Sequence, residues 1–360
     1  MADRLPHILE ATPGALAQWF QQQGEPAYRV KQVLEWLYKK YAISYDEMTN
    51  LPRSLRELLG GSFSFECLRV VDRLRSEDGQ TVKFLFELPD SACIESVAMA
   101  QEEGRSTFCI SSQAGCSLGC RFCATGARGG GRNLAAWEII AQVSMLSRAA
   151  GGLGNVVFMG MGEPLMNLGG VLPALEALQD ELRFALGARR ITLSTAGVTP
   201  GIVKLAASGI GPGLALSLNS PEDEQRSELM PINRRYPLSE VLRACEEYGE
   251  RTGRRVTLEY VLLGGVNTSA EAAQGVARIA RRVRALVNLI SFNRVEGSEF
   301  HPPDRDELKR FRDILQKSGV PVTQRYRRGR DIAAGCGQLT GRTSSRRSAP
   351  GGQPDAETQQ

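Results

Sequence analysis

The chain has 360 residues, 42% hydrophobic and 23% charged, with a formal net charge of +4, ordinary values for a globular protein with room for one main domain and an appendage. Eight cysteines at this length exclude a disulfide scaffold, and no apolar run approaches the roughly 20 residues of a bilayer crossing. The mild positive charge permits contact with RNA without requiring it.

Met1-Ala2-Asp3-Arg4 has no secretory pattern, so a reducing cytoplasm and no membrane are expected. Residues 1–60 read as a small helical accessory domain. Residues 27–38 carry apolar side chains at helical spacing, and Leu51-Pro52-Arg53 opens another helix, with Pro52 tolerated in its first turn. Arg29, Lys31, Lys39, Lys40, Arg53 and Arg56 make this module locally basic, which suits either RNA phosphates or a solvated helical face. Residues 61–105 alternate, as in Thr81-Val82-Lys83-Phe84-Leu85-Phe86-Glu87-Leu88, with Asp78-Gly79 as a turn signal. An antiparallel β extension is expected there.

A β-like stretch at 107–111 then runs into Gly115-Cys116-Ser117-Leu118-Gly119-Cys120-Arg121-Phe122-Cys123. Three thiolates spaced C-x3-C-x2-C on one loop suit three corners of a [4Fe–4S] cluster, with the fourth iron open to a small molecule such as S-adenosylmethionine. A structural zinc site wants a closed set of four ligands. There is no second cysteine pair, and His7 and His301 are far away in sequence, so the cluster reading is preferred.

Beyond the loop, strand and helix alternate. Short apolar strands are expected at 155–159, 190–195, 214–218, 255–263 and 286–293, with helices such as 135–150, 170–186 and 238–252 between them. Counting the strand before Cys116, about six βα units build an α/β fold, a partial (β/α)6 barrel over residues 106–340. Chemistry in such barrels sits at the carboxyl ends of the strands. The last stretch, 341–360, is rich in Ser, Arg, Pro, Gly and Gln and reads as a disordered tail.

Polar motifs fall at those strand ends. In Gly160-Met161-Gly162-Glu163-Pro164 the glycines allow close backbone approach and Glu163 can pair with an ammonium group, though a plain turn would look similar. Ser194, Ser217-Leu218-Asn219 and Asn293 suit ribose hydroxyls, a carboxylate or an adenine edge, or equally helix caps. Cys336, in Ala334-Gly335-Cys336-Gly337-Gln338-Leu339, suits a mobile nucleophile or a small buried residue. Cys67, Cys93 and Cys245 receive no role.

Over residues 5–340 the chain resembles the RlmN family, radical S-adenosylmethionine enzymes that methylate adenosine in ribosomal RNA. The resemblance rests on Cys109-Ile110-Ser111-Ser112-Gln113-Ala114-Gly115-Cys116, the cysteine loop through Gly126, Arg132-Asn133-Leu134, the Gly-Met-Gly-Glu-Pro run, Leu193-Ser194-Thr195-Ala196-Gly197, Met230-Pro231-Ile232-Asn233, Arg328-Gly329-Arg330-Asp331-Ile332 and Gly335-Cys336-Gly337-Gln338-Leu339. It implies methylation of C2 of adenosine 2503 in 23S rRNA and, in many members, of adenosine 37 in certain tRNAs. An electron-poor amidine carbon cannot attack the methyl group of S-adenosylmethionine directly, whereas a thiolate can.

The resemblance further implies that Cys336 takes a methyl group from one S-adenosylmethionine. A second molecule, on the cluster of Cys116, Cys120 and Cys123, yields a 5′-deoxyadenosyl radical that activates the S-methyl group toward C2. Glu95 accepts the C2 proton, and Cys109 releases the RNA by a transient disulfide with Cys336. For Glu95 a surface strand glutamate would look the same in sequence. Gly162, Glu163, Ser194, Ser217, Leu218, Asn219 and Asn293 match cofactor-contacting positions, with Asn219 where some relatives carry histidine. Implied partners are 23S rRNA, tRNA and a low-potential electron donor such as a flavodoxin or ferredoxin, with the protein a monomer. Arg325, Arg327, Arg328 and Arg330 and the basic amino-terminal module are the candidate phosphate contacts, around an adenine splayed into the barrel mouth. A sister activity at C8 of the same adenosine uses matching cysteines, although Leu51-Pro52-Arg53-Ser54-Leu55-Arg56 looks more like the C2 enzymes. A glycyl-radical activase has no use for Cys109 and Cys336, and a non-enzymatic RNA-binding protein has none for the Gly-Met-Gly-Glu-Pro run.

Overall fold

In the computed structural model, residues 5–101, 104–295, 297–324, 329 and 331–341 are described. Arg325, Arg327, Arg328 and Arg330, and the expected tail after Gly341, lie outside the described residues.

Helices α1 (Pro13–Gln22), α2 (Tyr28–Tyr38) and α3 (Arg53–Ser62) come first in the chain, each with an apolar stripe turned inward. Leu16 and Phe20 of α1, Val33, Leu34 and Leu37 of α2, and Leu55 and Leu59 of α3 are buried. This bundle is fastened to the remainder of the chain by aromatic contacts. His7 stacks on Trp137 at 4.3 Å, and Tyr38 meets Phe184 edge-on at 5.1 Å.

The strands form one ten-stranded sheet whose spatial order follows the sequence. Strands β1 (Arg69–Arg75), β2 (Thr81–Glu87), β3 (Cys93–Ala100) and β4 (Ser106–Cys109) pair antiparallel. From β4 onward every pairing is parallel, through β5 (Asn155–Phe158), β6 (Ile191–Thr195), β7 (Gly213–Ser217), β8 (Thr257–Leu262), β9 (Leu286–Ser291) and β10 (Val322–Gln324). The interposed helices are α4 (Ala124–Arg128), α5 (Ala136–Ala150), α6 (Leu168–Gln179), α7 (Thr199–Ala207), α8 (Asp223–Leu229), α9 (Leu238–Thr252), α10 (Ala270–Arg282) and α11 (Arg305–Lys317). They are amphipathic: α10 buries Ala273, Val276, Ala277 and Ala280 against the sheet and turns Arg281 and Arg282 outward. The expected α/β partial barrel with an antiparallel extension is therefore the observed architecture.

Three expectations need correction. The helix expected over 170–186 runs Leu168–Gln179, because the Asp180 carboxylate accepts the N–H groups of Leu182 and Arg183 and so offers the backbone a turn in place of another helical bond. The β-like stretch expected at 107–111 is a strand over Ser106–Cys109, so Cys109 closes it. Strand β10, unanticipated, extends the parallel sheet beyond β9.

No helix among the described residues is long and apolar enough to cross a membrane.

Candidate active site

The cysteine loop leaves the end of β4 and lies across the mouth of the barrel. Cys116 and Leu118 pack with Ala196, Leu229, Met230, Leu263 and Phe292, and these neighbours lie at or just beyond the ends of β6, α8, β8 and β9. Arg121 N–H donates to Leu229 O at 3.1 Å, and Cys123 N–H turns back to Cys120 O at 3.1 Å as α4 begins.

Burial pushes the Cys116 thiol up to about 11 and raises Cys120 further, with the neighbouring Cys123 and Cys116 adding to the burial of Cys120. Three thiolates crowded on one desolvated loop need a positive centre to bind. A [4Fe–4S] cluster supplies it, and the donor set fits: soft thiolates, three of them, with no fourth on the loop. No three His, Cys, Asp or Glu side chains among the described residues gather as one ion would demand. A cluster makes no such demand, because each thiolate takes its own iron.

The strand ends beside this loop are tightly cross-braced. Gly162 has φ +98°, and a Cβ there would lie 2.5 Å from Gln113 Cβ, so only glycine serves. Glu163, 3% exposed, accepts Ala196 N–H at 2.8 Å and Leu165 N–H at 3.1 Å. Burial nonetheless lifts its carboxyl to about 7, hydrogen bonds with Ala196 N–H, the Thr195 side chain and Leu165 N–H opposing the shift. Ser194 Oγ donates to Glu259 at 3.3 Å, and Asn219, fully buried at φ 55°, accepts Val261 N–H at 2.8 Å. Arg226, without a signal in sequence, is buried among these ends and donates to Ala196 O (2.7 Å), Ser217 O (3.1 Å), Leu218 O (3.1 Å) and Asn233 Oδ1 (2.5 Å). It is the tie that holds the ends of β6 and β7 together.

Asn293 lies just past β9. Its amide N–H donates to Cys336 O at 3.2 Å, while its Oδ1 is buried with no hydrogen-bond partner among the described residues. A buried acceptor left without a donor fits a bound ligand carrying a hydroxyl or amino group, as S-adenosylmethionine does. Beside it opens a cavity of about 450 Å³, lined among others by Cys109, Met159, Thr192, Asn293, Gly335 and Cys336. Sequence places Cys109 and Cys336 far apart; the fold sets both on one cavity.

Cys336 is exposed, on a backbone segment held from three sides. Behind the cluster loop, Ala124 N–H donates to Gly337 O at 2.8 Å, Thr125 Oγ1 to Leu339 O at 2.7 Å, and Arg128 to Thr340 O. From the end of β9, Arg294 O accepts Gln338 Nε2 at 2.9 Å. A Cβ on Gly335 would stand 2.6 Å from Asn293 Nδ2, so the glycine permits the close approach. On the third side Glu95 accepts the N–H groups of Thr340 and Gly341, the latter at 2.8 Å, and pairs with Lys83 Nζ at 2.9 Å. Glu95 is 1% exposed and so is no surface glutamate. Its carboxylate meets the segment behind Cys336 and does not line the cavity.

Of the six cations singled out in the amino-terminal module, five are engaged nearby. Arg29 donates to Gln32 and Asn50, Lys39 to Phe184 O, Lys40 pairs with Glu35 at 3.4 Å, Arg53 with Glu57 at 2.8 Å, and Arg56 with Asp46 at 3.5 Å.

Comparison with known proteins adds to this geometry. The family description "Radical SAM superfamily" matches residues 110–273, and "Ribosomal RNA large subunit methyltransferase N-terminal domain" matches residues 7–63. A "Probable dual-specificity RNA methyltransferase RlmN" of Gemmatimonas aurantiaca is 47% identical over 93% of each chain. The protein of the same name from Akkermansia muciniphila is 42% identical over 93% of this chain and 95% of its own. The crystal structure of a radical SAM methyltransferase from Sphaerobacter thermophilus matches with a TM-score of 0.89 at 42% identity, covering 94% of this chain and all of that one.

Proposed function

The chain belongs to the RlmN family of radical S-adenosylmethionine RNA methyltransferases, and on that premise we propose that it methylates C2 of adenosine 2503 in 23S rRNA and C2 of adenosine 37 in tRNAs. The observation that carries the reading is the placement of Cys109 and Cys336 on one cavity that Asn293 also lines, with the segment bearing Cys336 tied to the end of the cysteine loop by the bond from Ala124 N–H to Gly337 O.

Membership of the superfamily brings a [4Fe–4S] cluster and S-adenosylmethionine, and these supply the methyl group and the radical that the unreactive C2 carbon requires. Cys116, Cys120 and Cys123 would hold the cluster. Asn293 Oδ1 is the open acceptor for S-adenosylmethionine. Gly162, Glu163, Ser194, Ser217, Leu218 and Asn219 shape the remainder of its site, Glu163 through the backbone it holds in place.

Where the chain's own residues stand supports the following roles. Cys336, exposed on a braced segment, accepts the methyl group on sulfur and presents it over the adenine in the cavity. In this reading Glu95, whose carboxylate accepts the N–H groups of Thr340 and Gly341, takes the proton lost from C2. Attack of the Cys109 thiolate on the Cys336 sulfur breaks the bond from that sulfur to the bridging carbon. The electron pair leaves with the carbon, which takes up a proton to become the methyl group on C2. A disulfide remains between the two cysteines, so both sulfurs must reach one accessible space.

The same reading assigns residues 1–60 to RNA contact, 61–105 to the β extension and 106–340 to the catalytic barrel. It makes the protein a cytoplasmic monomer served by a flavodoxin or ferredoxin. The test is mass spectrometry of 23S rRNA and tRNA from a strain lacking the gene, complemented with wild type or Cys336→Ala. Return of 2-methyladenosine with wild type alone supports the reading. Tracking of 8-methyladenosine with the gene would move it to the C8 activity, and no change in either would end it.

A further inference from the structure

Lys83 has no role in the reaction as proposed, yet its surroundings are unusual. It sits in β2 opposite Val97, and Glu95 sits opposite Leu85, so the two are diagonal neighbours on one face of the hairpin. Both are buried, Lys83 at 8% and Glu95 at 1% exposure. Lysine and glutamate rarely go inside unless each compensates the other. The pair is joined at 2.9 Å.

What covers them is the segment that carries Cys336. Lys83 Nζ donates to Ala333 O at 3.2 Å, three residues before the cysteine. Glu95 Oε2 accepts the N–H groups of Thr340 and Gly341, four and five residues after it. The next turn outward is held as well, since Glu77 N–H donates to Asp331 Oδ2 at 2.8 Å. One ion pair therefore fastens both ends of residues 333–341, with Cys336 between the fastenings.

We infer that Lys83 is a positioning residue for methyl transfer: together with Glu95 it forms a buried clip that fixes the segment bearing Cys336 over the cavity. The inference rests on the reading that Cys336 carries the methyl group. Loss of the lysine leaves Glu95 buried without its countercharge and Ala333 O without this donor, so the clip fails at both ends.

The test uses the cluster-loaded enzyme with Lys83→Met, Lys83→Arg, Glu95→Gln and the Lys83→Met/Glu95→Gln double variant. Hydrogen exchange of the 333–341 peptide and the rate of Cys336 alkylation are read alongside kcat and KM for RNA. Lys83→Met is expected to speed exchange and alkylation by roughly tenfold or more, with β6 amides as protected as in wild type. Turnover falls while KM for RNA holds, and Lys83→Arg restores turnover and the slow exchange and alkylation. The double variant loosens the segment no more than Lys83→Met alone, since the two residues act as one unit. Unchanged exchange and alkylation in Lys83→Met, or effects of the two single variants that multiply in the double, would overturn the clip. Should Lys83→Met also expose the β6 amides, Lys83→Gln decides: it keeps a donor for Ala333 O without the charge, and an unchanged exchange at Thr340 and Gly341 would overturn the inference. The exchange readout needs no RNA turnover, so an absence of methylation by wild type would sink the proposed function and leave exchange to decide the clip.

Discussion

Glu163 offers the sharpest energetic prediction. Its carboxyl, carried from 4.5 to about 7 mainly by burial, binds a proton more tightly in the folded chain than in the unfolded one. The stability it contributes is therefore complete below about pH 4.5 and is lost as pH rises to about 7. At 1.36 kcal/mol for each pH unit, the loss amounts to roughly 3 kcal/mol. Replacing the side chain by Gln keeps the shape of the protonated acid and removes the titration. At pH 5 the variant and wild type should agree within about 1 kcal/mol, the worth of one hydrogen bond. At pH 8 the variant should be more stable by about 2–3 kcal/mol. Urea unfolding of the reduced, cluster-free chains at several pH values measures the difference. If the two stabilities stay parallel from pH 5 to pH 8, then burial does not dominate at Glu163 and the bonds from Ala196 and Leu165 hold it ionised throughout.

Other expectations follow from single contacts. Thr125→Val removes the 2.7 Å bond to Leu339 O and should cost about 1–2 kcal/mol of local stability, read as faster hydrogen exchange over residues 337–341. Cys120→Ser should abolish the brown colour and lower bound iron in anaerobically purified protein; full iron retention would contradict the assignment of this thiol. His7→Ala removes both the stack on Trp137 and the bond to Glu66 O at 2.8 Å. A loss of about 2 kcal/mol is expected, and limited proteolysis should then cut between α3 and β1 before it cuts the barrel.

Much of this was legible because the chemistry is local. Three thiolates spaced C-x3-C-x2-C can meet one cluster from a single loop, so the candidate ligands Cys116, Cys120 and Cys123 stand out by spacing alone. Parallel strands buried on both faces read as apolar runs, and β5 to β9 stand where the runs stand. What stayed hidden was set by distant parts of the chain. Glu95 alternates in β3 as a surface residue would, and only a segment 246 residues later buries it. Arg226 lies in a polar helical stretch whose burial depends on the ends of β6 and β7. Strand β10 is three residues long, too short for any periodicity, and α6 stops early because the Asp180 side chain takes over backbone donors. The glutamate of the Gly-Met-Gly-Glu-Pro run suggested a partner for a ligand ammonium, whereas both its oxygens accept backbone N–H groups.

The most direct test of the two-cysteine account uses Cys109→Ala enzyme, loaded with its cluster, reduced, and mixed with S-adenosylmethionine and an RNA fragment containing the target adenosine. Without the thiol that resolves the bond to Cys336, protein and RNA should remain joined, and mass spectrometry of the digested adduct should place one carbon between the Cys336 sulfur and C2 of the adenine. Released 2-methyladenosine at the wild-type rate, with no adduct, would contradict the claim that Cys109 and Cys336 act as a pair.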